Sequence, residues 1–378
     1  MLATKMSVAF YGHVRQYHNI KAEIDANLKD VLESGQYVLG PMLKRFEHEL
    51  AEFHGTKYAI GVGNGTDALW LTFKALGIGP GDECITTTNT FFATAEAIWF
   101  TGATAVFVDS DARTNCIDPA MVEAAITART KALVPVHLYG QCADMKAIRR
   151  IADRHHLLVI EDNAQAIGAY GDGFQIAELS DAATISFITQ KNLGTFGDGG
   201  AVVTNNPEID RLVRKLRNHG SEQRSCHSPG YNSRLDDLHA GVLSAKLRHI
   251  QEWGNLRRKW AARYSKGLAG ARNITLPYET PGYRHVYHLY VIETRQAAHR
   301  DGLLNFLNEE GIDAKCHYPI AIHQQKGYPW THEARIAGPI PNSERNAACC
   351  ISLPMFPELT EEEVDYTIDK VLEWDRRV

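Results

Sequence analysis

Lys191 stands between two contrasting pieces of chain. Before it runs the apolar stretch Ala183, Thr184, Ile185, Ser186 and Phe187, and after it come Gly194, Gly197, Gly199 and Gly200. A lysine between a strand pattern and a glycine-rich turn can be desolvated. A neutral amine condenses with an aldehyde to form a Schiff base. Upstream, Val159 and Ile160 lead into Glu161, Asp162, Asn163, Ala164 and Gln165. A carboxylate at such a strand end can keep a pyridine nitrogen protonated. At about 4 Å and an effective dielectric near 20 that pair is worth roughly 4 kcal/mol before desolvation. An imine-forming lysine and a pyridinium-holding carboxylate are what pyridoxal 5′-phosphate (PLP) chemistry needs. Each residue alone has a plainer reading, since most lysines are solvated and aspartate is a favoured helix cap.

Other candidates follow the same logic. Gly63, Asn64, Gly65, Thr66 and Asp67 fall between a strand pattern and a helix pattern. Glycines admit a close ligand and Thr66 adds a hydroxyl at a helix N-terminus, a ready phosphate site, although a capped turn reads the same way. Ser186 is a second hydroxyl within reach of phosphate. One ring of Phe91 and Phe92 can stack on a pyridine while the other packs in the core. His317, Tyr318 and His323 form a polar aromatic cluster suited to a polar substrate.

Elements that could position these groups are legible. Strands are expected at 58–62, 83–87, 104–108, 131–137, 157–161, 183–187 and 201–204. Helices are expected between them at 67–75, 93–100, 119–125 and 145–155. Several strands are continuously apolar, as sheets covered on both faces require. Strand–helix alternation predicts a mostly parallel α/β sheet, whose ligands gather at the carboxyl ends of the strands. A charge-rich helical stretch over 236–268 follows, then strands at 287–293 and 313–318 and helices at 301–310 and 361–374. These predict a smaller α+β domain, packed with N-terminal helices at 20–34 and 42–53. The expected division is 1–250, with the large PLP-binding domain, and 251–378.

The chain has 378 residues, 44% hydrophobic and 22% charged, with a net charge of −5. That length predicts two domains, and the charge gives no general reason to bind nucleic acid or an anionic membrane. Residues 1–7 lack the apolar core of a signal peptide, and no segment has the roughly 20 apolar residues of a membrane helix. Seven scattered cysteines without a CxxC pair suit neither a zinc site nor a disulfide framework, so no metal and a reducing cytoplasm are expected.

Taken in order, these segments resemble the DegT/DnrJ/StrS family of PLP-dependent sugar aminotransferases over nearly the whole chain. The resemblance is carried by Ser34 to Pro41, Asn64 to Leu69, Pro135 to Gln141, Glu161 to Gln165, Gly197 to Gly200, Arg217 to Gly220, Gly230 to Asp236, His317 to Pro319 and Ser352 to Pro354. It implies a type I aminotransferase fold working as a homodimer with shared active sites. Lys191 matches the Schiff-base lysine and Asp162 the partner of the pyridine nitrogen. Gln165 matches the residue against the ring near its phenolic oxygen, and Phe91 the aromatic on the opposite face. Gly65, Thr66 and Ser186 match phosphate ligands, and Asn232 matches an asparagine supplied by the other subunit.

The family takes nitrogen from an amino acid, usually glutamate, and delivers it to a ketone on a nucleotide-linked sugar. Relatives with histidine in place of the lysine are dehydratases, so Lys191 implies transamination. The wording around Asn64, Gly140 and Tyr231 looks most like members that aminate C3 of a dTDP- or UDP-linked hexose. A C4-keto sugar, a cyclitol ketone and a PLP-binding regulatory protein are the alternatives. Departures from the family pattern fall at Asn163, Ile167, Gln190 and the segment Tyr11 to Arg15, and they bear on the acceptor more than on PLP.

Overall fold

The computed structural model describes residues 5–223, 225–327 and 334–378. The first four residues of the 1–7 segment weighed above as a leader lie outside them. Three N-terminal helices, α1 (His13–Asn19), α2 (Lys21–Ser34) and α3 (Pro41–His54), precede an alternating region. That region runs β1 (Tyr58–Val62), α4 (Gly65–Ala75), β2 (Glu83–Thr87), α5 (Ala93–Phe100), β3 (Thr104–Val108), α6 (Pro119–Ala125), β4 (Thr130–Leu133), α7 (Met145–His155) and β5 (Leu158–Asp162). A two-stranded hairpin, β6 (Tyr170–Gly171) and β7 (Phe174–Gln175), leads to β8 (Ala182–Ser186), β9 (Gly200–Thr204) and α8 (Pro207–Leu216). The remainder is α9 (Asp237–Leu247), α10 (Ile250–Leu268), β10 (Ile274–Thr275), β11 (Tyr290–Thr294), α11 (Arg300–Glu309), β12 (Ala334–Ile336), α12 (Pro341–Cys349), β13 (Cys350–Leu353) and α13 (Glu361–Asp375).

The large sheet has the order β1-β9-β8-β5-β4-β2-β3-β12. Its strands run parallel except β9, which is antiparallel to both neighbours. β2 is buried at every position, as a strand covered by helices on both faces must be. The parallel direction brings the ends of β1, β2, β5 and β8 to one edge, where Asn64, Thr90, Asp162 and Lys191 follow. A second core forms from Val8 and from residues of α10, β11, α11, β13 and α13, including Tyr264, Tyr290, Leu307 and Val371. Its antiparallel sheet has the order β10-β11-β13.

Three expected elements differ. The strand expected at 131–137 ends at Leu133 because Pro135 has no N–H for a ladder. The chain instead continues through one bridge, Val136 to Asp162, into a 3-10 turn at Leu138–Gly140. The expected strand at 313–318 is a single bridge, Lys315 to Ser352, beyond which Pro319 closes the ladder and Tyr318 turns to a cavity. The helical stretch 236–268 is two helices. α9 is buried nearly all round, whereas α10 buries one face, including Trp260 and Tyr264, so one straight helix could not serve both environments. Among the described residues no helix is long and apolar enough to cross a membrane.

Candidate active site

A cavity of about 590 Å³ opens at the strand-end edge, within the size range of small-molecule sites. Asn64 caps α4 by accepting the Asp67 amide at 2.8 Å. The helix thus begins at Gly65, two residues earlier than the sequence pattern, and its first amides have no partner within the helix. Gly65 is required by contact, since an added Cβ would lie 2.6 Å from Ser186 Cβ. That close approach joins Gly65, Thr66 and Ser186 in one wall. Asp67 anchors the turn: its carboxylate accepts from Ser233 Oγ at 2.6 Å and from Trp70 Nε1 at 3.0 Å.

Asp162 ends β5 and is buried. Thr94 Oγ1, on α5, donates to its Oδ2 at 2.8 Å, and the Ala164 amide donates to Oδ1 at 3.1 Å. Lys191 comes from the turn after β8, which the Lys191 amide closes on the Ile188 carbonyl at 2.8 Å. That turn packs against itself so closely at Gly194 that an added Cβ would meet Thr189 O at 2.2 Å. Among the described residues no hydrogen bond or ion pair holds the Lys191 amine, which opens onto the cavity. Burial lowers its pKa to about 8, against the opposing pull of the Asp162 carboxylate.

The other walls hold polar and aromatic groups in fixed poses. Gln165 Oε1 accepts the Tyr139 amide at 2.8 Å, and its Nε2 donates to the Tyr318 hydroxyl at 3.1 Å. The Phe91 and Tyr318 ring centroids are 5.7 Å apart. His288 Nδ1 meets Asn192 Oδ1 at 3.1 Å, and Asn192 Nδ2 donates to the Val286 carbonyl, so the imidazole proton is on Nδ1. Burial first, then the Lys191 charge, hold the His288 pKa well below the usual histidine value. His317 is likewise lowered to about 4 by burial first.

Nine expected site residues therefore share this cavity: Gly65, Thr66, Phe91, Asp162, Gln165, Ser186, Lys191, His317 and Tyr318. Two do not line it. Asn232 is exposed and makes a bridge with Asn218. His323 turns its Nε2 to Glu344 at 3.2 Å and buries its Nδ1 without a partner. Sequence reasoning missed Thr94 and His288, and it assigned no part to Tyr139 although that residue lies in one of the quoted motifs. Gln190 and Tyr11, two of the departures from the family pattern, line the cavity, whereas Asn163 is buried away from it with neither side-chain atom hydrogen-bonded.

A profile of the DegT/DnrJ/EryC1/StrS aminotransferase family matches residues 18–372. The chain belongs to this aminotransferase family. The family member from Geobacillus stearothermophilus called pleiotropic regulatory protein is 46% identical, covering 98% of this chain and 99% of its own. The dTDP-3-amino-3,4,6-trideoxy-alpha-D-glucose transaminase of Streptomyces venezuelae is also 46% identical, covering 98% and 97%. The crystal structure of S. venezuelae DesV in complex with a ketimine intermediate superposes with a TM-score of 0.94 at 45% identity, covering 98% of this chain and 99% of that one. This family member is a PLP-dependent aminotransferase with the type I fold. Its cavity suits the cofactor chemically: a helix N-terminus stripped of Cβ at Gly65, a buried carboxylate at Asp162 and an amine of lowered pKa at Lys191.

Proposed function

We propose that the enzyme moves an amino group from an amino acid, glutamate, to the C3 keto group of a dTDP- or UDP-linked keto-deoxy sugar. The observation that carries this reading is the Lys191 amine facing the Asp162 carboxylate across one cavity, in a chain 46% identical to a dTDP-sugar 3-amino transaminase. Bound PLP supplies the electron sink for both halves of the transfer. Lys191 would hold the cofactor through its amine and, when free, would serve as the proton carrier of the transfer. Asp162 would face the pyridine nitrogen, and Thr94 and the Ala164 amide keep its carboxylate aimed. Gly65, Thr66 and Ser186 hold the phosphate at the start of α4. Gln165 and Phe91 would flank the ring, and Tyr318 would meet the sugar. His323 lies off the cavity and has no part in this reading.

The exposure of Asn232 supports its use by a second copy of the chain, so the working unit is a homodimer with shared sites. Exposed Val38, Phe91, Phe196 and Tyr231 give such a pairing apolar surface. The second core supports a division near residue 250 into a large PLP-binding domain and a small α+β domain. Seven free cysteines support a reducing cytoplasm.

The test is a panel of dTDP- and UDP-linked 3-keto and 4-keto sugars and cyclitol ketones, incubated with enzyme, PLP and glutamate and read as amine-product mass. The reading expects the amine from 3-keto sugars. Product from 4-keto sugars or cyclitols alone would overturn the C3 assignment. Transfer to none of them would overturn the nucleotide-sugar acceptor and leave the aminotransferase with another ketone.

A further inference from the structure

A second cavity, of about 230 Å³, lies at the seam between the two cores. Its walls are the 112–115 loop, the 275–278 segment after β10, strand β11 and Arg345 of α12, with Tyr139 also lining it. Leu289 and Val291 give it an apolar side. Its one carboxylate is already occupied. Glu293 Oε2 pairs with Arg345 at 3.1 Å, and Oε1 accepts from Asn115 Nδ2 at 3.3 Å and Asn346 Nδ2 at 3.0 Å.

Two donors remain. The Arg113 guanidinium lies 3.6 Å from the centroid of the Tyr278 ring, which fixes it in place, and among the described residues no carboxylate pairs with it. His285 Nδ1 accepts the Tyr287 amide at 2.9 Å, which puts the ring proton on Nε2. Burial first, then the Arg258 charge, lower the His285 pKa to about 3, so the ring is a neutral donor. With Glu293 and Arg345 cancelling, the cavity carries one unpaired positive charge, that of the exposed Arg113 at its rim, and an apolar wall. Arginine held flat is the group best suited to a carboxylate. The volume is below the roughly 300–1,000 Å³ of drug-sized sites, which restricts the occupant to a short molecule.

We propose that this seam cavity binds a small organic monocarboxylate, its carboxylate on Arg113 and its apolar body against Leu289 and Val291. The site is independent of which sugar is aminated.

Isobutyrate is the probe, with isobutyramide as its neutral counterpart, followed by saturation-transfer NMR on the PLP-loaded enzyme. The expected result is binding of isobutyrate but not of isobutyramide. Binding should weaken at least tenfold in Arg113→Gln and recover in part in Arg113→Lys. It should persist in Lys191→Ala, which alters only the first cavity. Equal binding of the two probes, unchanged binding in Arg113→Gln, loss in Lys191→Ala, or no binding of isobutyrate would each overturn the proposal. None of these outcomes bears on the keto-sugar assay.

Discussion

Thr94 Oγ1 donates a hydrogen bond to Asp162 Oδ2 at 2.8 Å, tying the first turn of α5 to the end of β5 beneath the cavity. A hydrogen bond to a charged partner is worth about 1.5–3 kcal/mol when its removal leaves that partner buried. Thr94→Val keeps the shape and removes the donor. The expected result is PLP binding weaker by about tenfold or more, measured by equilibrium titration of the cofactor-free protein. Unchanged affinity would mean that Asp162 is set by its backbone alone.

Lys191 gives a pH-dependent stability. Burial lowers its pKa to about 8, below the roughly 10.4 of an unfolded lysine, with Asp162 pulling the other way. A depressed lysine pKa means that the folded state resists the ammonium. That cost is complete below about pH 8 and is relieved as pH rises from there towards about 10.4. Cofactor-free Lys191→Met should therefore melt about 2 °C or more above the parent near pH 7, and the gap should narrow near pH 10. A variant that melts lower at neutral pH would contradict the desolvation.

Glu47 of α3 is buried between Arg217 at 2.6 Å and Arg214 at 2.7 Å, and it also accepts the Gly61 amide of β1 at 2.9 Å. Burial works to raise its pKa, but Arg217 and Arg214 outweigh it and the net shift is downward. Glu47→Leu strands Arg217, while Arg214 keeps its pair with Asp210 at 2.8 Å, and should cost about 3–5 kcal/mol in urea unfolding. Because the folded pKa is depressed, the stabilisation holds above the unfolded carboxylate value of about 4.3 and disappears as pH falls through the folded one. Parent and variant should therefore converge in acid, and a difference that is constant with pH would exclude the ionised pair as its source.

Asn232 tests the shared site. Asn232→Ala should lose PLP retention although the residue does not line the cavity of its own chain. Lys191→Ala and Asn232→Ala proteins, each inactive, should regain about a quarter of parental activity when unfolded and refolded together, because random pairing leaves one intact site in half of the dimers. Absence of recovery in a mixture shown to contain hybrids would rule out donation across the interface.

The sequence was most readable where a strand ends in an unusual residue. Asp162 and Lys191 each follow a continuous apolar run, and such runs become buried parallel strands whose ends share an edge. Helices α5, α6 and α7 were equally plain, because their apolar periodicity sits between turn residues. Tyr139 lies in the motif from Pro135 to Gln141, but nothing local gave it a part. Its part depends on a backbone at φ 59° and on a contact with His317, a residue remote in sequence. Thr94 looked like one more helical threonine, because nothing near it in sequence says which strand end its hydroxyl meets. The boundary at Leu133 was misplaced because apolar residues continue past Pro135, although hydrogen-bonding capacity does not.

Tyr139 gives its amide to Gln165 in the first core, while its hydroxyl lies between the carbonyl oxygens of His317 and Asn346 beside the second. One residue thus ties the Gln165 wall of the cavity to His317 and to α12 at Asn346. Each of these hydrogen bonds is worth about 1 kcal/mol. Tyr139→Phe, which removes the hydroxyl and keeps the ring, should therefore uncouple the Gln165 side of the cavity from α12 without emptying the core.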